Sequence, residues 1–268
     1  MEGKRRSLGR FLFMAIFLLG TVLGSNEVSY AITNGQPDGN SHPFVGAAHN
    51  GEVFCSGSAI SPDIFVTAAH CFNYSGEKVW VTFDPEPFAP GNKAKYYTGT
   101  WYPHPDFCLE CAPGLPGTDT NDVAVVVLDR PVFQEEYAQL PAEGLVDTLA
   151  MGTEVTIVGY GAQFYVPGGG PRQPVYLRTR YYAPTLLVAS EHGISDEYIK
   201  LTANPAQGKG GICFGDSGGP DLLEMGGLAI ILAINSFGTN YNCTGINYSN
   251  RIDTADVLEF IRQFLSKR

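Results

Sequence analysis

A serine set between glycines is the residue of this 268-residue sequence whose surroundings best suit a nucleophile. Ser217 lies in the segment GDSGGP, residues 215–220. Glycines permit a tight backbone and a close approach of substrate, and N–H groups in such a turn can converge on a developing oxyanion. Because Gly, Asp and Ser are also turn formers, the segment taken alone favours an ordinary turn.

A histidine and an aspartate elsewhere in the chain complete this chemistry. A serine hydroxyl is a weak nucleophile and needs a base within hydrogen-bond reach, and His70 in the segment TAAHC has a suitable pKa. Asp122 opens the apolar run NDVAV, where its carboxylate can fix the imidazole tautomer and stabilise an imidazolium. Singly, His70 is equally a packed core residue and Asp122 a residue at a strand start. Together with Ser217 they supply every part that acyl transfer requires.

Short strands separated by turns are the elements that we expect to position these residues. Apolar, β-branched and aromatic runs occur at 79–83, 123–128, 155–158 and 228–235, with clusters of Gly and Pro between them. The chain holds 32 Gly and 18 Pro, which favours many turns over a helical bundle. Regular short strands with turn signals predict an all-β sandwich or barrel.

The C-terminal segment carries the one strong helical pattern. Asp253 and Thr254 are candidate N-caps, and Asp256 places a negative charge in the first turn. We expect the apolar face to pack against the body of the protein, since the polar face is not basic enough for a membrane-surface helix. The apolar residues at helical spacing are Val257, Leu258, Ile261, Phe264 and Leu265.

Residues 1–31 are predicted to be a secretory signal peptide. A basic head precedes the apolar run 11–24, which is shorter than the roughly 20 residues that a membrane-spanning helix needs. Ser29 and Ala31 place small residues where a signal peptidase cuts, so we expect cleavage before Ile32. An uncleaved membrane anchor is the alternative, which the short run disfavours. Secretion would place the protein outside the cell or in a periplasm, with no stable membrane association after signal removal.

Composition and charge narrow the class of protein. With 44% hydrophobic residues the chain is too apolar for disorder. A net charge of −10 argues against nucleic acid as a partner, because its phosphates would be repelled. Asp84 and Glu86 are too few carboxylates to predict a calcium site. We expect no metal and no cofactor.

Six cysteines follow the signal segment, and an even number in a secreted chain predicts disulfide bonds. Spacing alone cannot choose among the possible pairings. Cys108 and Cys111 form a CxxC motif, for which zinc binding is the alternative. No second CxxC or pair of histidines lies near it in the sequence, although His104 does, so the sequence favours a disulfide there.

The TAAHC, NDVAV and GDSGGP segments, in that order, resemble the signature regions of secreted trypsin/chymotrypsin-like serine endopeptidases. The resemblance extends from Ile32 to the C-terminal helix. It implies two packed antiparallel β-barrels with the active site between them. On this basis we expect one protease domain over 32–268, with the boundary between its two barrels near 140–150.

The resemblance also implies a role for each site residue. His70 would act as general base and then as general acid, Asp122 would orient it, and Ser217 would attack the scissile carbonyl. The N–H groups of Gly215 and Ser217 would form the oxyanion hole. The substrates would be proteins or peptides, and a protease inhibitor is a further partner that this class of enzyme implies.

Disulfide pairing is implied by the same resemblance for four of the cysteines. One pair would pin the loop behind the histidine, and another would tie the nucleophile loop to a wall of the specificity pocket. The remaining two cysteines are assigned to each other by us, without a close match in the family. The expected pairs are Cys55–Cys71, Cys213–Cys243 and Cys108–Cys111.

Ile32 has a separate expected role. Enzymes of this family become active when a new N-terminus at this position inserts and pairs with the aspartate just before the nucleophile, here Asp216. A buried aspartate without a partner is unfavourable, so the ammonium would hold the oxyanion loop in shape. Because the expected signal cleavage falls directly before Ile32, we hypothesise that signal removal itself yields active enzyme.

Specificity is expected from Gly211, which occupies the pocket-floor position of the family. Trypsin-type enzymes have an aspartate there, and its absence argues against cleavage after Lys or Arg. Ile212 adds apolar surface, and Ser236, Phe237 and Gly238 resemble the strand that pairs with the substrate backbone. We expect a neutral, apolar pocket that favours aliphatic or aromatic side chains.

Two other functions are alternatives. A catalytically silent family member would be a binding protein, but such proteins usually lack one of the three residues, and here none is missing. An acyl hydrolase of another fold would usually show GxSxG with its histidine last in the chain. In this sequence the serine comes last and its context is GDSGG.

Overall fold

The computed structural model of the protein describes residues 32–111, 119–165, 173–189 and 196–266. The predicted signal peptide lies outside the described residues. Within these ranges the chain folds mainly into antiparallel strands, followed by a single α-helix near its C-terminal end. None of the described helices is long and apolar enough to cross a membrane.

The first barrel is a closed ring of six antiparallel strands, preceded by a two-residue strand. When strands are counted along the chain, the order around the ring is second, third, fourth, seventh, sixth and fifth. The fifth strand pairs with the second and closes the ring. Its interior is apolar, with Phe65 and Trp101 at most 1% exposed. A Cβ on Gly57 would lie 2.3 Å from a ring carbon of Phe65, so the packing of that ring requires glycine. The strands are β1 (Gln36–Pro37), β2 (Val45–His49), β3 (Phe54–Ala59), β4 (Ile64–Thr67), β5 (Lys78–Thr82), β6 (Tyr96–Pro103) and β7 (Ala124–Leu128).

The second barrel is also a ring of six antiparallel strands. The strands that follow the first barrel are β8 (Glu154–Gly159), β9 (Gln163–Tyr165), β10 (Gln173–Val175), β11 (Tyr181–Ala189), β12 (Tyr198–Ala203), β13 (Pro220–Met225), β14 (Leu228–Gly238) and β15 (Gly245–Arg251). The ring runs β8-β11-β12-β15-β14-β13 and closes because β8 pairs with both β11 and β13. Strand β1 adds to β11, and β9 and β10 form a separate hairpin. The predicted all-β architecture of two barrels and a C-terminal helix is confirmed.

A connecting segment joins the barrels. It runs from the end of β7 at Leu128 to the start of β8 at Glu154, and the predicted boundary at 140–150 falls inside it. The four apolar runs noted in the sequence correspond to β5, β7, β8 and β14. Strand β14 continues beyond the apolar run to Gly238 and so includes Ser236, Phe237 and Gly238, which resembled a strand of the family and which line the candidate site.

A buried arginine holds the two barrels together. Arg180, just before β11, is completely buried, and its Nε donates to the carboxylate of Asp38 at 2.6 Å. Its Nη1 donates to the carbonyl oxygen of Val45 in the first barrel at 2.7 Å. A buried charge is tolerated only when such partners are all in place. The start of β11 is therefore fixed against the first barrel.

The helix α1 (Ala255–Leu265) lies where the sequence predicted it, but its N-terminal end differs from the expectation. Thr254 occupies the N-cap position, but its side chain accepts no capping hydrogen bond. The carboxylate of Asp253 accepts from Nε of Arg251 at 2.9 Å and from the N–H of Val146 at 2.8 Å. The predicted capping role of Asp253 was wrong, because tertiary partners occupy its carboxylate.

The buried face of α1 is rotated slightly from the predicted one. Leu265 is 38% exposed, contrary to the prediction, because it lies in the last turn beyond the barrel surface. Phe260 was not predicted to be buried but is 6% exposed, and its ring centroid lies 4.9 Å from that of His104. The predicted face is otherwise buried at Val257, Leu258 and Ile261.

Candidate active site

Two paired strands of the first barrel bring the predicted histidine and aspartate together. His70 lies in the single turn that follows β4, and Asp122 lies just before β7. These strands are antiparallel neighbours with Thr67 opposite Ala124, so the end of β4 meets the start of β7. Residues that are 52 positions apart in the chain therefore become neighbours.

Asp122 is completely buried and accepts three hydrogen bonds. Nδ1 of His70 lies 2.7 Å from Oδ2 of Asp122, and the backbone N–H of His70 donates to Oδ1 at 2.9 Å. The hydroxyl of Ser236 donates to Oδ2 at 2.5 Å. Because Nδ1 is held by Asp122, Nε2 is the ring nitrogen left to exchange a proton with another group.

The same contacts shift the pKa values of both groups. Burial acts to lower the pKa of His70, but the charge of Asp122, its hydrogen bond to the ring and the charge of Asp119 together outweigh burial, and the pKa lies above its usual value. Burial likewise acts to raise the pKa of Asp122. The charge of His70 and the hydrogen bonds from His70 and Ser236 prevail and hold that pKa below its usual range. Asp122 is therefore ionised at neutral pH, and His70 is a stronger base than a free imidazole.

Glycines give the loop that carries Ser217 its shape. Gly215 and Gly218 have φ angles of 99° and 82°, in the left-handed region that side chains disfavour. A Cβ on Gly218 would lie 2.2 Å from Oγ1 of Thr67, so the loop can approach the end of β4 only with glycine there. This close approach brings Ser217 beside the turn that holds His70.

Ser56 in β3 holds this loop against the first barrel, a role that the sequence did not reveal. Its N–H donates to the carbonyl oxygen of Ser217 at 2.8 Å, and its Oγ donates to that of Gly215 at 2.9 Å. The same Oγ accepts from the N–H of Tyr160, 104 positions away, at 3.0 Å. No motif marks Ser56, because all these partners are backbone groups that only the fold brings near it.

Ser217 and His70 line one cavity of about 590 Å³. In the part of the chain that the structure describes, neither the N–H of Gly215 nor that of Ser217 donates a hydrogen bond, so both can serve an oxyanion. Among the same residues, Oγ of Ser217 makes no hydrogen bond to His70. Pairs of this kind often tighten only when substrate binds.

One part of the cavity wall carries no charged side chain. It is formed by residues 212–214 and 236–241, with Cys243. Glu110 and Asp119 contribute the two carboxylates of the lining, and that of Asp119 lies near His70. The residues of this wall that the sequence predicted to contact substrate are Ile212, Ser236, Phe237 and Gly238.

Gly211 differs from the expectation, because it is buried and is not among the residues that line the cavity. It forms an isolated bridge with Thr33, whose N–H donates to the Gly211 carbonyl oxygen at 2.8 Å. A Cβ on Gly211 would lie 2.5 Å from Cβ of Ala203 and 3.0 Å from the carbonyl oxygen of Cys243. The N-terminal segment therefore packs directly against this position, and glycine is needed for that contact.

Asp216 and Ile32, the predicted activation pair, are in contact and completely buried. The carboxylate of Asp216 accepts from the N–H of Gly161 at 2.7 Å, from that of Cys213 at 2.8 Å and from that of Ile32. Burial outweighs these bonds and raises the pKa of Asp216 to about 7. A positive charge at the Ile32 nitrogen would oppose that rise.

Disulfide bonds brace both halves of the site. One ties the turn of His70 to β3, and another ties the Ser217 loop to the cavity wall. All six cysteines are bonded, so the CxxC pair has no thiolate to offer to zinc. The bonds are Cys55–Cys71, Cys108–Cys111 and Cys213–Cys243.

Asp119 is a neighbour of the pair that sequence reasoning missed. Donor atoms of His70, Asp119 and Asp122 lie within 4.8 Å of one another, the one such group of three found in the described part of the chain. The charge of Asp119 adds to that of Asp122 in raising the pKa of His70. Because His70 and Asp122 already bond to each other, we assign the cluster to proton control and not to metal binding. Asp119 stands outside the NDVAV segment, so no motif pointed to it.

Comparison with known proteins identifies the family. The sequence profile of the Trypsin family matches residues 32–261, which is most of the chain. The chain therefore belongs to the Trypsin family and is a serine-type endopeptidase that acts on proteins or peptides.

Individual relatives are distant in sequence. Kallikrein 1-related peptidase b22 of Mus musculus is 25% identical over 241 residues, covering 86% of this chain and 88% of that protein. Trypsin delta of Drosophila melanogaster is 23% identical over 205 residues, covering 76% and 75%. The structure of human heparin binding protein is similar with a TM-score of 0.61 at 20% identity, covering 87% of this chain and 96% of that one. The last similarity supports the fold alone.

Proposed function

We propose that the protein is a secreted endopeptidase that cleaves peptide bonds through a Ser217–His70–Asp122 triad and an acyl-enzyme. Two observations carry this proposal: the buried Asp122 is bonded to His70, and His70 lines the same cavity as Ser217. Membership of the Trypsin family supplies the reaction class. The family and the three disulfides favour an extracellular location.

In the first half of the proposed reaction, Oγ of Ser217 adds to the scissile carbonyl carbon while Nε2 of His70 takes its proton. Nδ1 of His70 stays bonded to Asp122, whose charge stabilises the imidazolium. The proton then passes to the leaving amine, the C–N bond breaks, and the acyl group remains on Ser217. In the second half, water takes the place of the amine and gives a proton to His70 as it adds to the acyl carbon. The bond to Ser217 then breaks, Oγ of Ser217 takes the proton back, and the carboxylic acid is released.

The N–H groups of Gly215 and Ser217 supply the oxyanion hole in this proposal. Both are free of other hydrogen bonds within the described residues, and Ser56 holds the carbonyl oxygens of the same two residues from behind. Donors that are held in place before the reaction need no reorganisation, and losing one typically costs about 2.7–4 kcal/mol of transition-state stabilisation. Ser56 is therefore a positioning residue for the hole.

A free N-terminus at Ile32 completes the active form in our proposal. Its ammonium would place a positive charge against the buried carboxylate of Asp216, where the intact chain offers only a neutral N–H. Cleavage of the signal peptide before Ile32 would create that terminus. N-terminal sequencing of the secreted protein tests this step, and a start upstream of Ile32 would contradict it.

The primary specificity pocket is proposed to accept uncharged side chains. Its support is the wall of residues 212–214 and 236–241, which carries no charge. We expect higher kcat/KM for peptides with Leu, Phe or Tyr before the scissile bond than for otherwise identical peptides with Lys or Arg. A strong preference for Lys or Arg would contradict the pocket without affecting the triad.

Fluorophosphonate labelling followed by mass spectrometry tests the triad most directly. We expect one adduct, at Ser217, that is lost in Ser217→Ala and in His70→Ala. Ser266→Ala, which changes an exposed serine at the end of α1, is the matched control and should label like the wild type. A folded protein that begins at Ile32 and forms no adduct would overturn the proposal and favour a catalytically silent binding protein.

A further inference from the structure

An arginine outside the catalytic motifs reaches the loop of the nucleophile. Arg178 lies between β10 and β11, half-buried, with a φ of 55° in the left-handed region that is uncommon for arginine. Its guanidinium carbon lies 4.0 Å from the ring centroid of Phe54 and 4.9 Å from that of Tyr176. Contact with two aromatic rings holds the planar group in place.

The guanidinium of Arg178 lies directly against Gly215. One of its nitrogens, Nη1, is 2.7 Å from the point where a Cβ on Gly215 would stand. Any side chain at Gly215 would push the guanidinium away. The glycine therefore serves the close approach of this cation as well as the shape of the oxyanion loop.

Arg178 has no anionic partner among the described residues. Within the described residues its guanidinium makes no ion pair or hydrogen bond, whereas the nearby Arg180 is paired with Asp38. Burial lowers the pKa of Arg178, with Tyr176 and Asp216 acting in the opposite direction, but arginine remains charged at neutral pH. A half-buried cation with free donors is a site for an anion, and a planar carboxylate matches its fork of N–H groups.

The position of Arg178 places this site on the leaving-group side of the scissile bond. Neither Arg178 nor Phe54 lines the cavity that holds the specificity wall, although Gly215 lies between them and Ser217. Phe54 directly precedes Cys55, whose disulfide partner Cys71 adjoins His70. The leaving amine must approach His70 to receive its proton, so the chain beyond the scissile bond passes on this side.

We propose that Arg178 and Phe54 form a subsite for a carboxylate carried by the leaving-group segment of the substrate. The ring of Phe54 supports the guanidinium and contacts the apolar part of the incoming residue, while Arg178 binds the carboxylate. An acidic side chain and the C-terminus of a short leaving peptide are two sources of that group. This proposal rests on the proposed endopeptidase function and adds a substrate class to it.

Matched fluorogenic peptides test the subsite. All peptides share one sequence before the scissile bond. The two residues after it are both Glu, both Gln or both Lys. Each peptide is made with an amidated and with a free C-terminus. For the wild type we expect kcat/KM to be about fivefold higher with Glu than with Gln, and lower still with Lys. The free carboxylate should raise kcat/KM of the Gln peptides if the C-terminus is the natural source. The preference should weaken as NaCl is raised.

Arg178→Gln should bring the Glu-to-Gln ratio close to one, Arg178→Lys should keep part of it, and Arg178→Glu should reverse it. Arg130→Gln removes an exposed arginine that does not line the cavity and should keep the wild-type ratio. If the Arg178 variants do not fold, the Glu-to-Gln ratio of the wild type and its salt dependence still decide whether a cation binds a carboxylate of the leaving-group segment.

The outcomes separate this proposal from the one on which it rests. Cleavage of all peptides at equal rates would overturn the subsite and leave the endopeptidase intact. An equal loss with every peptide in Arg178→Gln would also overturn it, because it would indicate that Arg178 supports the loop of Gly215 and does not bind a substrate carboxylate. No cleavage of any peptide and no fluorophosphonate adduct would overturn the endopeptidase function itself.

Discussion

Asp122 and Asp221 are both completely buried, but they lie in different surroundings. Asp122 lies where the barrels meet and accepts hydrogen bonds from His70 and Ser236, and its pKa is lowered. Asp221, at the start of β13, is enclosed by the second barrel, where no described residue donates a well-formed hydrogen bond to its carboxylate. Burial raises the pKa of Asp221 to about 8, and only the nearby Ser249 acts against it.

The contrast shows that burial alone does not decide the charge of a carboxylate. Asp216 is intermediate, because backbone N–H groups solvate it without a cation in contact, and burial raises its pKa to about 7. The three carboxylates thus differ in the number and the charge of the donors around them. At the candidate site, the fold surrounds the carboxylate of Asp122 with several hydrogen-bond donors, and one of them, His70, can carry a positive charge.

The largest expected effect comes from removing the charge of Asp122. Asp122→Asn should lower kcat by about 10⁴-fold, because a neutral amide neither stabilises the imidazolium nor holds the required tautomer. Steady-state kinetics on a peptide substrate measures the loss. Asp221→Asn is the matched control, since it removes an equally buried carboxylate away from the cavity, and should keep kcat within a few-fold of the wild type. A similar loss in both variants would break the comparison.

Asp216→Asn should have the next largest effect on activity. Without the carboxylate, the proposed ammonium at Ile32 would have no partner, and the oxyanion loop would lose the support that we propose for it. We expect kcat/KM to fall about 10²–10³-fold, as for loss of an oxyanion donor. Acetylation of the Ile32 amine should cause a comparable fall in the wild type. Unchanged activity after both changes would show that the pair does not support the loop.

Asp221→Asn should instead change stability, in a pH-dependent way. The pKa of Asp221 is about 8 in the folded protein against a reference value of 3.8, so the folded state holds a proton that the unfolded state releases. This stabilising contribution is fully present below about pH 4 and is lost as the pH rises toward 8, by about 1.4 kcal/mol for each pH unit. The variant carries no such proton.

Calorimetry at pH 5 and pH 8.5 measures this difference. The Tm of Asp221→Asn should rise relative to the wild type between the two values. Asp129→Asn, which removes an exposed carboxylate whose pKa is lowered by Lys78, should show no such trend over this range. A constant Tm difference for Asp221→Asn would mean that Asp221 is not a proton-binding group of the folded state.

The smallest expected effect is a displaced pH profile. His70 must be neutral to act as a base. Its pKa in the folded protein is raised, because the charge and hydrogen bond of Asp122 and the charge of Asp119 together outweigh burial. The acidic limb of kcat/KM should therefore lie above pH 6.5, the usual value for histidine. Asp119→Asn should move that limb toward lower pH, because one of the two charges that raise the pKa is removed. A limb that does not move would exclude Asp119 from proton control.

Much of the fold could be predicted because strand patterns and turn formers are local properties of the chain. The apolar run of β14 ends at Asn235, and only the family resemblance placed Ser236, Phe237 and Gly238 in a strand, because these last residues line the site and do not continue the apolar pattern. The capping role of Asp253 was wrong for a related reason, since Arg251 and the N–H of Val146 compete for its carboxylate.

The sequence by itself determined the residue types needed for acyl transfer, the all-β class and the family, because these depend on short segments and their order. Only the tertiary structure decided how those residues are supported. Ser56 binds backbone groups up to 161 positions away, and Arg178 reaches Gly215 from a separate part of the second barrel. The opposite pKa shifts of Asp122 and Asp221 were decided in the same way, because the donors around a buried carboxylate come from strands that meet only when the chain folds.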